Sequence, residues 1–164
     1  MPFQKYGYKN QFKGVLIDAN LLLLVLVGLF NKTLIGKFKR TLKYDEADFK
    51  NLLNIILLCK GRIYTTPNIL TEISNLTDNE TLNKNNGFYK FLYAFIDEFV
   101  ETLYSSKVIM KNNETAFIKL GLTDASIINL AANDILIVTE DLPLYHFLIS
   151  NSKPVLNYNH LKFR

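Results

Sequence analysis

The sequence predicts an α/β fold, a three-layer α/β/α domain with a central parallel sheet of four to five strands. Short apolar segments rich in β-branched residues alternate with longer segments of helical periodicity. This alternation is typical of strand–helix–strand units, whose parallel strands are covered by helices on both faces. A chain of 164 residues with 49% hydrophobic and 21% charged residues suits one globular domain. We therefore expect a single domain over residues 1–164, preceded by a loose arm at 1–13.

The first half of the chain supplies two predicted strands and their helices. Val15-Leu16-Ile17 reads as a buried strand, followed by a helix over 19–30 that is apolar on every side. Gly36 to Lys43 is a basic linker, and Asp45 opens a helix that Gly61 stops. The second strand covers 62–65, and Thr66 caps a helix that begins at Pro67 and runs to about 76.

The second half continues the alternation. We predict a polar loop over 78–87, an aromatic-rich amphipathic helix over 88–104, a short helix from 113 or 114 to about 121, a helix capped by Thr123 or Asp124 that ends near 132, a strand over 135–139, a helix over 144–150 and a last strand over 154–156. The aromatic spacing in the 88–104 helix is typical of a core face, although a groove for a partner stays open as an alternative.

Charge and cysteine usage narrow the class of protein. A net charge of +4 and a pI near 9.0 weakly favour a partner that carries phosphates. Cys59 is the only cysteine, which excludes an intrachain disulfide and a cysteine-based zinc site. His146 and His160 lack the paired spacing of zinc ligands. We expect Cys59 to pack as a small hydrophobe, and the protein to be cytoplasmic.

The run from Leu21 to Phe30 is the one segment that could suggest a membrane. It is far shorter than the roughly twenty residues that a span needs, and polar residues flank it on both sides. Lysines precede it as in a signal peptide, but no small-residue cleavage site follows. A buried helix is the preferred interpretation, and a membrane-anchored protein is the alternative that the length argues against.

Two candidate site residues follow predicted strands. Asp18 comes directly after the first strand, and Asp141 comes two residues after the strand over 135–139. In a parallel sheet the carboxyl ends of the strands are where ligands bind. Each has an ordinary alternative, a helix N-cap for Asp18 and a turn residue for Asp141.

Two further acids lie on the inner faces of helices. Glu72 shares a face with Ile69 and Leu76, and a carboxylate that faces a core is costly unless it is paired. Asp124 shares a face with Ile128 in its own helix, although it could simply cap that helix. Close carboxylates repel one another unless cations lie between them. Mg²⁺ or Mn²⁺, which prefer oxygen ligands, would suit such a site.

In the segments around these four acids, the sequence resembles the PIN-domain nucleases. The resemblance rests on four short motifs in order, VLIDAN at 15–20, TPNILTEI at 66–73, LGLTDASI at 120–127 and IVTED at 137–141, and it covers about residues 14–157. It implies that Asp18, Glu72, Asp124 and Asp141 form a catalytic, metal-binding acidic site. Thr139 and Asn20 would support that site. Glu140 is an extra acid with no assigned use.

The resemblance also implies an activity and partners. Similar enzymes are Mg²⁺- or Mn²⁺-dependent endoribonucleases that cut single-stranded or structured RNA and leave a 5′-phosphate and a 3′-hydroxyl. Many are toxins of type II toxin–antitoxin systems, restrained by an antitoxin protein, and homodimers are common. The segment from Leu76 to Asn113 is longer than in the smallest members, which leaves its role open.

Two other functions stay open from the residues alone. A phosphatase of the aspartyl-phosphate type also begins with a strand followed by Asp, but its second Asp would stand where this chain has Asn20. A catalytically weak PIN-like RNA-binding module would keep the fold and lose acids. The basic cluster Lys37, Lys39, Arg40 and Lys43, with Phe38 among them, is either a solvated linker or a surface that binds phosphates and a base.

Overall fold

The computed structural model describes residues 12–77, 82, 87–131 and 134–162, and it has the predicted α/β architecture. Five parallel strands form one sheet in the order β3-β2-β1-β4-β5. The strands are β1 (Gly14–Ile17), β2 (Ile63–Thr65), β3 (Phe99–Glu101), β4 (Ile135–Thr139) and β5 (Val155–Asn157). The predicted three-layer arrangement with four to five strands is confirmed.

Strand β1 lies at the centre because its residues can be buried on both faces. All four of its residues are buried, as are all five of β4 beside it. Their register pairs Ile17 with Val138, so Asp18 and Thr139 follow at the same level of the sheet. Asp18 and Thr139 are neighbours because adjacent parallel strands end at the same edge of the sheet.

The helices of the described residues connect successive strands, with as many as three in a row between two strands, and a last helix follows β5. They are α1 (Ala19–Asn31), α2 (Glu46–Leu58), α3 (Pro67–Thr77), α4 (Gly87–Phe95), α5 (Ser106–Asn112), α6 (Glu114–Leu120), α7 (Leu122–Leu130), α8 (Leu142–Ser150) and α9 (Asn159–Lys162). Helix α1 is buried from Leu21 through Gly28, as its apolar run predicted. Gly28 allows a close approach, since a Cβ there would lie 2.4 Å from a ring carbon of Phe49.

The predicted helix over 88–104 is wrong in its second half. Helix α4 ends at Phe95, a 3-10 turn covers Ile96–Glu98, and Phe99–Glu101 forms the edge strand β3. The strand gains backbone hydrogen bonds by pairing with β2, which helical spacing along the chain cannot reveal. The aromatic spacing does indicate packing, because the Phe91 ring stacks on Phe95, which in turn meets Phe99 edge to face.

Several predicted boundaries also shift. Helix α7 begins at Leu122 with Gly121 as its N-cap, so neither Thr123 nor Asp124 caps it. Helix α8 begins at Leu142, two residues before the predicted start. The sequence did not predict α5 or α9. Of the predicted 78–87 loop only Leu82 and Gly87 are described, and of the predicted arm at 1–13 only Phe12, which is buried, and Lys13.

Two predictions about apolar segments can be checked directly. Cys59 is buried, as expected of a packed small hydrophobe, and burial raises the pKa of its thiol to about 11. Among the helices of the described residues, none combines the length and hydropathy that a bilayer span requires. The run from Leu21 to Phe30 is instead part of the core helix α1.

Candidate functional site

A cleft at the carboxyl edge of the sheet brings together all four predicted acids. This cavity, which we call the acidic cleft, has a volume of about 330 Å³ and is lined by Asp18, Glu72, Asp124 and Asp141 together with Asn20. The carboxylates come from four separate elements, since they follow β1, lie on α3, lie on α7 and precede α8. Ala19, residues 120–123, Ile127 and Leu144 complete the lining.

Asp18 is held in place by three hydrogen bonds. It is the N-cap of α1, and its Oδ1 accepts the Leu21 N–H at 3.1 Å. Its Oδ2 accepts the Thr139 hydroxyl at 2.5 Å and the Glu140 N–H at 3.0 Å. Burial raises the pKa of Asp18 to about 6, although these hydrogen bonds oppose the shift. The N-cap alternative is thus confirmed, and Asp18 also lines the cleft.

Thr139 connects Asp18 to Asp141. Its hydroxyl donates to Asp18 Oδ2 and accepts the Asp141 N–H at 2.9 Å. Asp141 in turn is the N-cap of α8, where its Oδ1 accepts the Leu144 N–H at 2.7 Å. The ordinary alternative for Asp141 was a turn residue, and the structure shows a helix cap instead. Thr139 is fully buried, so its orientation is set by these two bonds.

Glu72 and Asp124 face the first pair from the helices α3 and α7. These helices are joined by a buried hydrogen bond between the hydroxyls of Thr66 and Ser126, at 3.0 Å. The pKa of Asp124 is raised to about 7, first by burial and then by the negative charges of Asp141, Asp18 and Glu72. All three other carboxylates therefore lie close enough to act on Asp124.

The donor set of this cleft suits a hard divalent cation, because it consists of carboxylate oxygens. A cation would also relieve the repulsion that raises the pKa of Asp124. Within the described part of the chain, however, no three His, Cys, Asp or Glu side chains are grouped as a set of metal ligands. Asp18 and Asp141 each accept a backbone N–H through Oδ1, as helix caps do.

Two residues named from the sequence have different positions. Asn20 lines the acidic cleft and is exposed, and its supporting role stays a prediction. The Glu140 side chain takes part in a separate network instead, where it forms an ion pair with Lys43 and accepts the Tyr44 hydroxyl at 2.7 Å. Burial and Glu140 raise the pKa of Tyr44. Glu140 acts on the site through Asp18: its backbone N–H donates to the Asp18 carboxylate, and its negative charge contributes to the raised pKa of Asp18.

Sequence reasoning missed Tyr44 and Lys162 next to this network. The Lys162 ammonium lies 4.4 Å from the centre of the Tyr44 ring, and that of Lys43 lies 5.0 Å from it. No local pattern could indicate this meeting, because Lys162 belongs to α9 at the other end of the chain.

The chain matches no family model, no curated protein and no solved structure.

Proposed function

We propose that this protein is a metal-dependent nuclease of the PIN-like kind, an endoribonuclease that uses Mg²⁺ or Mn²⁺. The observation that carries the proposal is the meeting of Asp18, Glu72, Asp124 and Asp141 in one cleft at the carboxyl edge of a parallel sheet. The negative charges of Asp141, Asp18 and Glu72 add to the burial that raises the pKa of Asp124, and a cation in the cleft would relieve this repulsion.

The roles of the residues follow from their contacts. Glu72, Asp124, Asp18 and Asp141 would hold the cation with carboxylate oxygens. Bound there, it would lower the pKa of a water molecule and stabilise the charge that develops on a phosphodiester. The Thr139 hydroxyl and the Glu140 N–H donate to Asp18 Oδ2 and so fix the orientation of this carboxylate. Asp124, with a pKa of about 7, would have to be deprotonated to serve as a ligand.

The lining of the cleft favours this function over an aspartyl-phosphate phosphatase. Such an enzyme would need a second Asp two residues after Asp18, and the residue that lines the cleft there is Asn20. An Asn can bind an oxygen or a cation, but it cannot serve as the carboxylate that transfers a proton. The presence of all four acids in one cavity likewise favours cutting over RNA binding alone.

The test is cleavage of labelled RNA and single-stranded DNA by the purified protein with Mn²⁺, with Mg²⁺ and with EDTA. We expect cleavage with either metal and none in EDTA. Asp18→Asn and Asp124→Asn should each lower the rate by about a hundredfold or more, since loss of even an outer residue of a metal site costs about 10–100-fold. Asn keeps the size of each side chain and, at position 18, the ability to cap α1.

The outcomes separate the alternatives. Cleavage that persists in EDTA or in both variants would rule out the acidic cleft as the active site. Hydrolysis of small phosphate esters without cleavage of nucleic acid would favour the phosphatase. Binding of RNA with no cutting under any metal condition would favour the catalytically weak binding module.

A further inference from the structure

The basic segment that precedes α2 is a folded loop beside the acidic cleft. Ile35 and Phe38 are buried, and the buried Thr41 hydroxyl donates to the Ile35 carbonyl at 2.7 Å. Phe38 N–H also donates to the Leu34 carbonyl, and Thr41 N–H donates to the Phe38 carbonyl. The buried apolar and hydroxyl side chains therefore fasten residues 35–44 to the core, so this part of the chain is a packed loop whose basic side chains are exposed to solvent.

The cations of this loop remain on its outer side. Lys37, Lys39, Arg40 and Lys43 are all exposed, and residues 19–44 contain no Asp or Glu. Within the part of the chain that is described, Lys37, Lys39 and Arg40 take part in no ion pair. The loop thus presents a run of uncompensated positive charge.

A second segment adds a cation at the end of the loop nearest to the cleft. Lys43 and Lys162 both lie against the Tyr44 ring, and Lys43 pairs with Glu140, whose N–H donates to Asp18. Lys43 is paired with Glu140, and Lys162 also lies over the ring of Tyr158, whose hydroxyl donates to Asp48. Lys162 itself takes part in no ion pair among the described residues. Positive and negative surfaces thus meet at Glu140, beside the carboxylates.

We propose that this cationic rim, formed by Lys37, Lys39, Arg40, Lys43 and Lys162, binds the phosphate backbone of single-stranded RNA and leads it to the acidic cleft. The inference rests on the proposed function and names how that site takes its substrate. Several cations in a row match a chain of phosphates, whereas a small phosphate ester would need only one or two.

The rim recognises backbone rather than bases. Base recognition in single strands relies on exposed aromatic rings that stack on the bases. In the loop, whose residues are all described, Phe38 is 0% exposed and Tyr44 is 4% exposed. The alternative in which Phe38 contacts a base is therefore wrong. We expect oligo(A) and oligo(U) of equal length to bind with similar affinity.

The experiment measures binding of fluorescent oligo(U) in EDTA, so that it does not depend on cleavage. Affinity is recorded across a range of salt concentrations for the wild type and for Lys43→Gln/Lys162→Gln. Each phosphate contact that is lost should lower the slope of log affinity against log salt concentration by about 0.7. This corresponds to a loss of about fivefold in affinity at 0.1 M salt. The double variant should therefore bind about 25-fold more weakly at that salt concentration.

Lys90→Gln/Lys107→Gln is the matched control, because it removes two exposed lysines from α4 and α5. It should keep the wild-type slope. Equal slopes in the rim and control variants would contradict the proposal that the cationic rim binds RNA, while the proposal of metal-dependent cleavage would still stand. A wild type that neither binds nor cuts would overturn both proposals. Circular dichroism of the rim variant shows whether it is folded. A lower salt slope for Lys37→Gln/Lys39→Gln would support RNA binding by the rim in a variant that keeps Lys43.

Discussion

Two clefts lie at opposite edges of the sheet, and they differ in how their polar groups are satisfied. The acidic cleft, of about 330 Å³, is at the carboxyl ends of the strands. The second, of about 500 Å³, lies where α7 and α8 end and lead into β4 and β5; its polar lining includes Lys111, Asn113, Glu114, Asn129, Asn151 and Lys153. We call it the amide cleft.

The amide cleft is larger, but its amide side chains are hydrogen-bonded and its charges are of both signs. Asn113 donates to the Asn129 side chain at 3.0 Å and to a backbone carbonyl at 3.2 Å. Asn151 donates to the Phe147 carbonyl at 2.7 Å, and the charges of the lining are of both signs. In the acidic cleft all the charges are negative, and they raise the pKa of Asp124. Uncompensated charge, rather than volume, distinguishes a candidate site.

The largest contrast should appear in RNA cleavage when one carboxylate is neutralised in each cleft. Asp141→Asn should lower the rate by about a hundredfold or more, because it removes an oxygen ligand and its charge. Glu114→Gln should leave the rate within about twofold, as expected of a surface substitution away from the chemistry. Asn is also a good N-cap, so α8 should be preserved. Similar rates for the two variants would contradict the distinction between the clefts.

The next contrast concerns the hydroxyl that positions Asp18. Thr139→Val keeps the shape of the side chain but removes the bonds to Asp18 and Asp141, and should lower cleavage by about 10–100-fold and weaken Mn²⁺ binding. Thr139→Ser restores the hydroxyl and should recover most of the rate and metal affinity. Failure of Ser to recover either one would mean that Thr139 acts through packing alone.

These contrasts also explain how far the sequence could predict the site. Asp18 and Asp141 were predictable because a carboxylate after a strand must lie at the carboxyl edge of a parallel sheet. Glu72 and Asp124 were predictable from the inner faces of their helices. Glu140, adjacent in sequence to Asp141, gave the same local signal, yet its side chain pairs with Lys43. Which neighbour faces the cleft depends on contacts between distant segments.

The fold, too, could be predicted only where local sequence patterns decide the structure. Strand β1 and helix α1 follow from local apolar patterns that the tertiary structure reinforces. Strand β3 could not be predicted, because its three residues continue the aromatic spacing of α4 and become a strand only by pairing with β2. The meeting of Lys43 and Lys162 at Tyr44 likewise depends on the way the chain returns to the same place.

Metal affinity should depend on pH in the acidic cleft. The carboxyl of Asp124, with a pKa of about 7 in the free protein, must lose its proton to bind a cation. The apparent affinity for Mn²⁺ should therefore be constant above about pH 8 and fall by about tenfold for each pH unit below 7. Titration calorimetry in two buffers of different ionisation enthalpy should show proton release near pH 6.

A pH-independent affinity between pH 6 and 8 would contradict this role for Asp124. Glu114→Gln in the amide cleft serves as the control, since it should not change the pH profile. Below pH 6 the fall should steepen, because the pKa of Asp18 is about 6 and its carboxyl then takes up a proton too.

The smallest effect should be on stability in the absence of metal. Asp124→Asn removes a charge that is partly buried and repelled by its neighbours, so it should stabilise the free protein. Solvent screening at this partly exposed side chain limits the gain to about 1 kcal/mol above pH 7. Urea unfolding in EDTA measures it, with Glu114→Gln expected to change stability by less than about 0.5 kcal/mol.

The pH at which this gain appears tests its cause. The pKa of Asp124 is raised in the folded protein from its ordinary value of 3.8 to about 7. Stability from this group is therefore fully present below about pH 4 and lost as the pH rises through 7. The difference between Asp124→Asn and the wild type should be small below about pH 4, grow between about pH 4 and pH 7 and then stay constant. A difference independent of pH would instead attribute it to packing, and the acidic cleft would then hold no repulsion for a cation to relieve.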